Sequence, residues 1–505
     1  MRKQMNRFKT LLIALYNSKG LGVRYLSSVL KQRGYPCSLL FLKGYQPYDM
    51  RKPSEVEYAL VDEVVARENP DLIGISYMCT FHREVMVELT QRLRKQGHRV
   101  VWGGAATTLF PEEALEHVDL AVRGEAEEAF PELVEALAAG RDYTRIPNVA
   151  FKKGGQKVIN DIRPLNRDLD SIPFPDLGGS DKYWINNGKL AARDPELDGI
   201  GYEIMASRGC PFRCSYCSND VIRRIHAGKG PYVRRRSVDN VMRELHMAKE
   251  KMPRLKMVHF WDDIFPTNLE WVTEFASRYK KEIGLPFEIW HHPLLVKEEL
   301  IRPLVEAGLS KIVVGIQSGS PYIRNQIFLR PESQEQIIAC SKVLSDAGVP
   351  TVIYDLILDN PFETEENLAE TLDLCLKLHR PFYLQLHGLS FLPGTKIEEM
   401  ALERGLITRE KMRELQLKPI NEQYRAMYWW VHGTGVKQDP VQTYWNSLIY
   451  FTQFSMAVPF VRWARKSRFL KNHPGILRGL LRLTNLALIA RKAWRKLRIA
   501  MGARA

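Results

Sequence analysis

The chain has 505 residues, of which 45% are hydrophobic and 26% are charged. This length and apolar content predict about three folded domains with buried cores, and they exclude an intrinsically disordered protein. The formal net charge is +15, but residues 440–505 alone contain thirteen Lys and Arg residues and no Asp or Glu.

The first 140 residues alternate apolar runs of strand length with helical patterns. A basic start before the first run mimics a secretory signal but lacks a small-residue cleavage site, so we expect a first β-strand and a cytoplasmic protein. The strand-like runs are 11–16, 38–42, 72–77, 100–103 and 120–122. This alternation predicts a doubly wound, Rossmann-like parallel sheet over residues 1–140.

Ligands of such sheets bind at the carboxyl ends of the strands. Ser76 and Thr80 stand at the end of one predicted strand, and Gly103 and Gly104 at the end of the next. These four residues are therefore candidates for a ligand site. Residues 141–200 contain five prolines and several Gly and Asp residues, which break both periodicities, so we expect a linker there.

Three cysteines follow the linker at C-x3-C-x2-C spacing: Cys210, Cys214 and Cys217. Three thiolates on one short loop can hold three irons of a 4Fe-4S cluster and leave the fourth iron open. The open iron can bind the amino and carboxylate groups of S-adenosylmethionine (SAM), and an electron from the cluster can then release a 5′-deoxyadenosyl radical.

Two other interpretations of the cysteines are weaker. A structural zinc site needs a fourth ligand, and the next candidate is His226, beyond the usual spacing. Disulfides are disfavoured because the seven cysteines are an odd number and no secretory context is evident. We expect the four remaining cysteines to be buried small hydrophobes: Cys37, Cys79, Cys340 and Cys375.

Strand and helix patterns alternate again over residues 201–406. The strand-like runs are 203–207, 256–261, 287–291, 311–316, 351–358 and 383–389. Six such units are too few for a closed eight-fold barrel and predict a partial barrel, with its chemistry at the carboxyl ends of the strands. We expect Asp355 and Asp359 to face the barrel interior. Of His291 and His292, which are adjacent, at most one can face a given site, as a pocket residue rather than a metal ligand.

The sequences of both halves resemble those of the cobalamin-binding radical SAM enzyme family. In residues 10–140 the resemblance lies in the segments 69–76, 101–104 and 118–127, and in the second half it lies in the cysteine motif and the phrases at 315–320 and 391–395. The histidine motif by which other cobalamin domains bind cobalt is absent from residues 16–24. Either cobalamin binds without a protein histidine, or the domain has lost the cofactor and survives as scaffold.

The resemblance also implies roles for single residues. Ser76, Thr80, Gly103 and Gly104 would approach the nucleotide tail of cobalamin. The SAM-binding candidates, with the three cysteines as cluster ligands, are Asp262, Asp263, Gln317, Ser318 and Arg330. The acidic pair could instead cap the next helix, and Arg330 could be a solvated helix-start arginine. No catalytic residue is assigned, and an external flavodoxin- or ferredoxin-like protein would supply the electron.

Residues 407–505 form an aromatic and then basic region of helical character. The uncharged run 441–461 contains polar residues and a proline, which makes it a poor transmembrane candidate. The later leucines at helical spacing among arginines favour peripheral contact with an anionic membrane at the inner face. A core-packing or partner helix is the second interpretation. RNA binding is the third interpretation, and we do not expect nucleic acid as a partner.

These expectations combine into one functional prediction. The enzyme would use SAM and cobalamin to methylate an unactivated carbon of a hydrophobic, membrane-associated substrate such as an isoprenoid, lipid or tetrapyrrole. Radical cyclisation, oxidation or rearrangement is the alternative within the family. A protein of another class, which binds RNA or membrane and carries a structural cluster, is the remaining alternative.

Overall fold

The computed structural model describes residues 8–46, 50–427 and 439–484, together with Trp494. The aromatic residues Tyr428, Trp429 and Trp430 and the basic residues beyond residue 484, on which part of the membrane prediction rests, lie outside the described residues.

The N-terminal half is built on one nine-stranded sheet. Its strands are β1 Thr10–Leu15, β2 Cys37–Leu42, β3 Leu72–Ser76, β4 Val100–Gly103, β5 Leu120–Val122, β6 Val149–Lys153, β7 Gln156–Ile159, β8 Lys182–Asn186 and β9 Lys189–Ala191, in the spatial order β7-β6-β5-β4-β3-β1-β2-β8-β9. The pairs from β5 through β4, β3, β1 and β2 to β8 are parallel. Helices cover both faces: Leu21–Gln32, Glu55–Glu68, Arg83–Lys95, Ala105–Leu109, Pro111–His117 and Ala129–Ala138.

Residues 141–200 are not a linker throughout, contrary to the prediction. They supply β6 to β9, two antiparallel hairpins that extend the two edges of the sheet. The hairpin turns are formed by Gly154-Gly155 and Asn187-Gly188, all with positive φ, as two-residue hairpin turns require. The glycines that suggested a linker are therefore in part the turn residues of short strands.

The second half is a partial barrel of six parallel strands. These are β10 Gly201–Ile204, β13 Met257–Phe260, β14 Phe287–His291, β15 Leu309–Gln317, β16 Val352–Leu358 and β17 Tyr383–Gly388, hydrogen-bonded in that order, while β11 Ser207–Arg208 and β12 Arg234–Arg235 form a separate ribbon. The helices of this half are Ser218–Ile225, Val238–Lys251, Leu269–Glu282, Glu298–Ala307, Gln334–Asp346, Glu365–Lys377 and Lys396–Glu403. The predicted fold class is confirmed.

The C-terminal region is helical: Arg409–Gln416, Ile420–Met427, Pro440–Phe451, Val458–Ala464, Arg468–Asn472 and 475–484. Helix Pro440–Phe451 packs on helix Glu365–Lys377 and buries Tyr444, Leu448 and Ile449 in the barrel core. This segment is therefore a core-packing element. Among the residues that the structure describes, no helix is long and apolar enough to cross a membrane.

Candidate functional site

The cysteine loop runs from β11 to helix Ser218–Ile225 and is fixed to the barrel through Ser215. The Ser215 N–H donates to the carbonyl of Phe328 at 3.0 Å, and the Ser215 carbonyl accepts from the N–H of Ile397 at 3.0 Å. Gly209, just before the first cysteine, has φ +89°, and a Cβ there would collide with the carbonyl oxygen of Tyr232. The loop therefore holds its three thiols in a fixed, crowded place.

The thiols influence one another electrostatically. Burial raises the pKa of Cys210 to about 11 and that of Cys217 to about 12, and in both cases Cys214 raises it further. Iron would stabilise the thiolates against this penalty. Among the described residues, no three His, Cys, Asp or Glu side chains converge on a single metal ion. Three thiols that hold three different irons need not converge, and the donor set fits a 4Fe-4S cluster with one open iron.

Arg330 is buried beside this loop. Its Nη1 lies 3.7 Å from Sγ of Cys214 and donates to the Tyr216 hydroxyl at 3.0 Å. Its Nε donates to Oε1 of Glu332 at 2.6 Å, and its Nη2 donates to the carbonyl of Gly315. The alternative of a solvated helix-start arginine is therefore wrong.

Glu332 connects Arg330 to His292, whose Nε2 lies 3.4 Å from the carboxylate. Burial alone would raise the pKa of Glu332, but the nearby His292 imidazole and the charge of Arg330 hold it near 2. The His292 ring also stacks on Phe212 in the cysteine loop, with centroids 3.6 Å apart. The sequence offered no sign of this support apart from the histidine pair.

The two carboxylates of the acidic pair, Asp262 and Asp263, lie in different environments. Asp262 is buried, and its carboxylate accepts from the Ser207 hydroxyl and, at 3.3 Å, from the N–H of Ala206. Burial raises the pKa of Asp262 to about 7. Asp263 instead borders a cavity and accepts from Nδ2 of Asn219 at 2.7 Å. The following helix is capped by Asn268, so the capping interpretation of the pair is wrong.

Gln317 and Ser318 lie at the end of β15. The Gln317 amide occupies the space that a Cβ at Gly315 would fill, next to Arg330. Ser318 is fully buried, and its Oγ lies 3.3 Å from Oγ1 of Thr371 and accepts from the N–H of Ser320 at 3.2 Å. Gln317 therefore lies beside Arg330, which contacts the cysteine loop, whereas the Ser318 hydroxyl already has partners within the protein.

A cavity of about 380 Å³ lies between the two halves of the chain. Ser76, Gly103 and Gly104 line it from the N-terminal sheet, and Trp261 and Asp263 line it from the barrel. Its inner end is apolar and reaches the sheet face through Leu12, Val23, Val101 and Phe130. Thr80 lies elsewhere, at the start of a short 3-10 helix that borders a separate cavity of about 260 Å³.

The glycine turn at the mouth of this cavity needs its glycine. Gly104 has φ +105°, and a Cβ there would lie 2.7 Å from the carbonyl oxygen of Tyr77. A bare backbone turn above an apolar cleft beside the sheet suits the nucleotide tail of cobalamin, because backbone can approach the ligand closely and the cleft can bury its base. The residues present therefore fit cobalamin.

An ion-pair network joins the two halves at the rim of the cavity. Arg208 contacts Glu127 at 2.6 Å and Glu125 at 3.3 Å, and Arg234 contacts Glu125 at 2.6 Å. The glutamates follow β5, and Arg208 stands two residues before Cys210. No signal in the sequence indicated these ion pairs, because nothing local pairs residues so distant along the chain.

Comparisons with known proteins agree with this geometry. Residues 14–134 match the family described as B12 binding domain, and residues 204–375 match the Radical SAM superfamily. An uncharacterized methyltransferase of Pyrococcus horikoshii is 26% identical, covering 78% of this chain and 81% of its own length. The bacteriochlorophyllide d C-8(2)-methyltransferase of Chlorobaculum tepidum is 24% identical, covering 82% of this chain and 90% of its own length.

Among solved structures, the cobalamin-dependent SAM radical enzyme OxsB with aqua-cobalamin and SAM bound has the same fold. The TM-score is 0.66 at 14% identity, covering 97% of this chain and 80% of OxsB. The chain is a radical SAM enzyme. With its B12-binding domain, it belongs to the cobalamin-binding radical SAM family, whose cofactors are a 4Fe-4S cluster, SAM and cobalamin.

Proposed function

We propose that the protein is a cobalamin-dependent radical SAM methyltransferase that methylates an unactivated carbon of a hydrophobic, membrane-associated substrate. The observation that carries the proposal is the shared cavity, where Gly104 of the B12-binding domain and Asp263 of the barrel line one space. When bound, the cluster would pass one electron to SAM and release a 5′-deoxyadenosyl radical, and cobalamin would carry to the substrate a methyl group taken from a second SAM molecule. The names of both methyltransferase relatives support this reaction class.

Different residues of the chain would bind the cluster, SAM and cobalamin. Cys210, Cys214 and Cys217 would hold the cluster, and Arg330 beside Cys214 would meet the methionine carboxylate as a buried cation. Asp263, held by Asn219, would accept from the methionine amino group. Ser76, Gly103 and Gly104 would receive cobalamin on the opposite side of the cavity.

The test is anaerobic reconstitution with cluster and cobalamin, a flavodoxin as the proposed electron donor, and SAM whose methyl group carries deuterium. Extracts of soluble metabolites and of membrane lipids serve as the substrate source. We expect 5′-deoxyadenosine together with a compound that gains the labelled methyl group. Cys214→Ala should fold but form neither. Deoxyadenosine with an unlabelled cyclised or oxidised product would refute methylation in favour of the alternative reactions.

Membrane association rests on the exposed side chains of the last described helices. Met456, Trp463, Phe469 and Leu483 are large, apolar and at least 61% exposed, and exposed basic residues stand between them: Arg462, Lys466, Arg468 and Arg482. Exposed aromatic and aliphatic side chains among cations suit an anionic lipid surface. We propose that this surface holds the enzyme at the cytoplasmic face of the membrane.

Truncation is a poor test of this contact, because helix Pro440–Phe451 belongs to the barrel core. Replacing Trp463, Phe469 and Leu483 together by Ser leaves that helix in place. We expect the triple variant to lose flotation with vesicles containing phosphatidylserine at low salt. The control is Tyr45→Ser at a half-exposed position outside this surface, which should leave flotation unchanged. Equal flotation of wild type and triple variant would refute the membrane contact.

A further inference from the structure

The inner face of the barrel is open beside its last two strands. On β16, Tyr354, Leu356 and Leu358 are buried against the outer helices, whereas Asp355 and Ile357 on the opposite face are only half-buried. The same alternation continues on β17. Since alternate residues point to opposite faces of a sheet, these half-buried residues border accessible space inside the barrel.

A polar group lies on this wall. Asp355 is opposite Gln385 in the strand register, and His387 is two residues further along β17. The Oδ1 of Asp355 is 3.7 Å from Nε2 of His387, too far for a hydrogen bond, and Nε2 of Gln385 lies 3.2 Å from the same histidine atom. This Oδ1 is shielded from solvent and has no hydrogen-bond partner among the described residues. Such an oxygen costs stability unless a ligand or an ordered water donates to it.

An aromatic platform lies two strands away, where β13 and β14 end. The rings of Trp261 and Trp290 stack with centroids 4.5 Å apart and planes at 20°. Trp290 is level with Val313 on β15, and Gly315 on the same strand is opposite Asp355, so only β15 lies between the stacked rings and the polar group. The Gln317 amide fills the space beside Gly315. Trp261 is 49% exposed and also borders the cavity assigned to cobalamin.

We propose that the substrate carries a planar conjugated ring with an N–H or protonated amine donor. This inference depends on the methyl transfer proposed above. The ring lies against Trp261, and the donor binds Oδ1 of Asp355, with His387 and Gln385 as neighbouring polar contacts. Stacking explains an exposed indole at the barrel mouth, and the donor supplies the missing partner of the carboxylate. A saturated isoprenoid or lipid chain offers no N–H donor to this oxygen.

The labelling assay described above tests this inference with Asp355→Asn, which keeps the side-chain shape, and Ile353→Val as a control on the same inner face. We expect the compound labelled by the wild type to contain a conjugated ring with an N–H or amine donor. Asp355→Asn should lower its labelling about 10- to 100-fold. Deoxyadenosine formed without substrate, iron content and cobalamin absorbance should stay within about twofold of wild type, as should all readouts of Ile353→Val.

Three outcomes would overturn the inference while leaving methyl transfer intact. One is a labelled compound that is aliphatic, and another is labelling by Asp355→Asn at the wild-type rate. The third is an equal loss of substrate-free SAM cleavage in Asp355→Asn, which would assign the residue to SAM instead. If the wild type labels no compound at all, the proposed methyl transfer itself fails, and the inference fails with it.

Discussion

Arg330 lies against Cys214, with Nη1 at 3.7 Å from Sγ, although the two residues are 116 positions apart in the chain. The guanidinium also contacts Tyr216 of the cysteine loop, Gly315 of β15 and Glu332. One buried cation therefore joins the loop that would hold the cluster to the strand end where SAM is expected. This contact ties the electrostatics of the cluster to the geometry of SAM binding.

Arg330→Lys should separate these roles. A lysine keeps the charge but cannot reproduce the forked contacts to Tyr216, Glu332 and Gly315. We expect iron incorporation near the wild-type level and a fall in deoxyadenosine formation of at least about tenfold, since charged hydrogen bonds of this kind contribute ~1.5–3 kcal/mol. Arg213→Lys, at an exposed position of the same loop, is the control. Unchanged SAM cleavage in Arg330→Lys would contradict the assignment.

Glu332→Gln should destabilise the fold. It leaves Arg330 buried without its counter-charge, and removal of one partner from a buried ion pair costs about 3–5 kcal/mol. The pKa of Glu332 is near 2 in the folded state, below its usual value in an unfolded chain. The contribution of its charge to stability is therefore complete above pH ~5 and is lost as the pH falls toward 2.

Urea unfolding of the apoprotein at several pH values would measure this difference. The difference in the free energy of unfolding between wild type and Glu332→Gln should become steadily smaller below pH ~5. The exposed control Glu306→Gln should have the same free energy of unfolding as the wild type at every pH. A gap that does not depend on pH would mean that Glu332 acts through packing alone.

Asp262→Asn and Asp263→Asn should differ in kind. Burial raises the pKa of Asp262 to about 7. Between pH ~4 and pH ~7 this carboxyl ionises more readily in the unfolded state than in the folded state, so the wild-type fold loses stability as the pH rises. Relative to wild type, Asp262→Asn should therefore gain thermal stability across that range. Asp263→Asn should instead lower SAM cleavage, because Asp263 borders the cavity. Equal losses of cleavage in the two variants would show that both carboxylates serve SAM.

The order of strands and helices was predictable because apolar periodicity reports burial directly. It was harder to predict which side chains enter the site. The sequence placed Asp262 and Asp263 at the same strand end, but neighbouring residues of an extended segment point in opposite directions, and only Asp263 reaches the cavity. Ser76 and Gly104 reach it, whereas Thr80 turns away into a short helix. The support of Arg330 by Glu332 and His292 depends on tertiary packing that spacing cannot reveal.

Gly104→Ala tests the turn that would receive cobalamin. The added methyl group would lie 2.7 Å from the carbonyl oxygen of Tyr77, and φ of +105° disfavours any side chain, so we expect a loss of about 1–3 kcal/mol and poorer retention of cobalamin on gel filtration. Gly44→Ala, outside this cavity, is the control, because its methyl group would meet only the side chain of Asn186 at an ordinary 3.8 Å. Wild-type retention by Gly104→Ala would contradict this role.

The ion pair between Arg208 and Glu127 should hold the B12-binding domain against the cysteine loop. Their 2.6 Å contact is largely buried, with side-chain exposures of 19% and 18%. Arg208→Gln and Glu127→Gln should each weaken cobalamin retention, which the corrinoid absorbance measures after gel filtration. Because the two residues act through one contact, the double variant should lose little more than the worse single variant, with a coupling energy of about 0.5–3 kcal/mol. Strictly additive losses would show that each residue acts through a separate contact, and would leave Arg234 and Glu125 as the link between the halves.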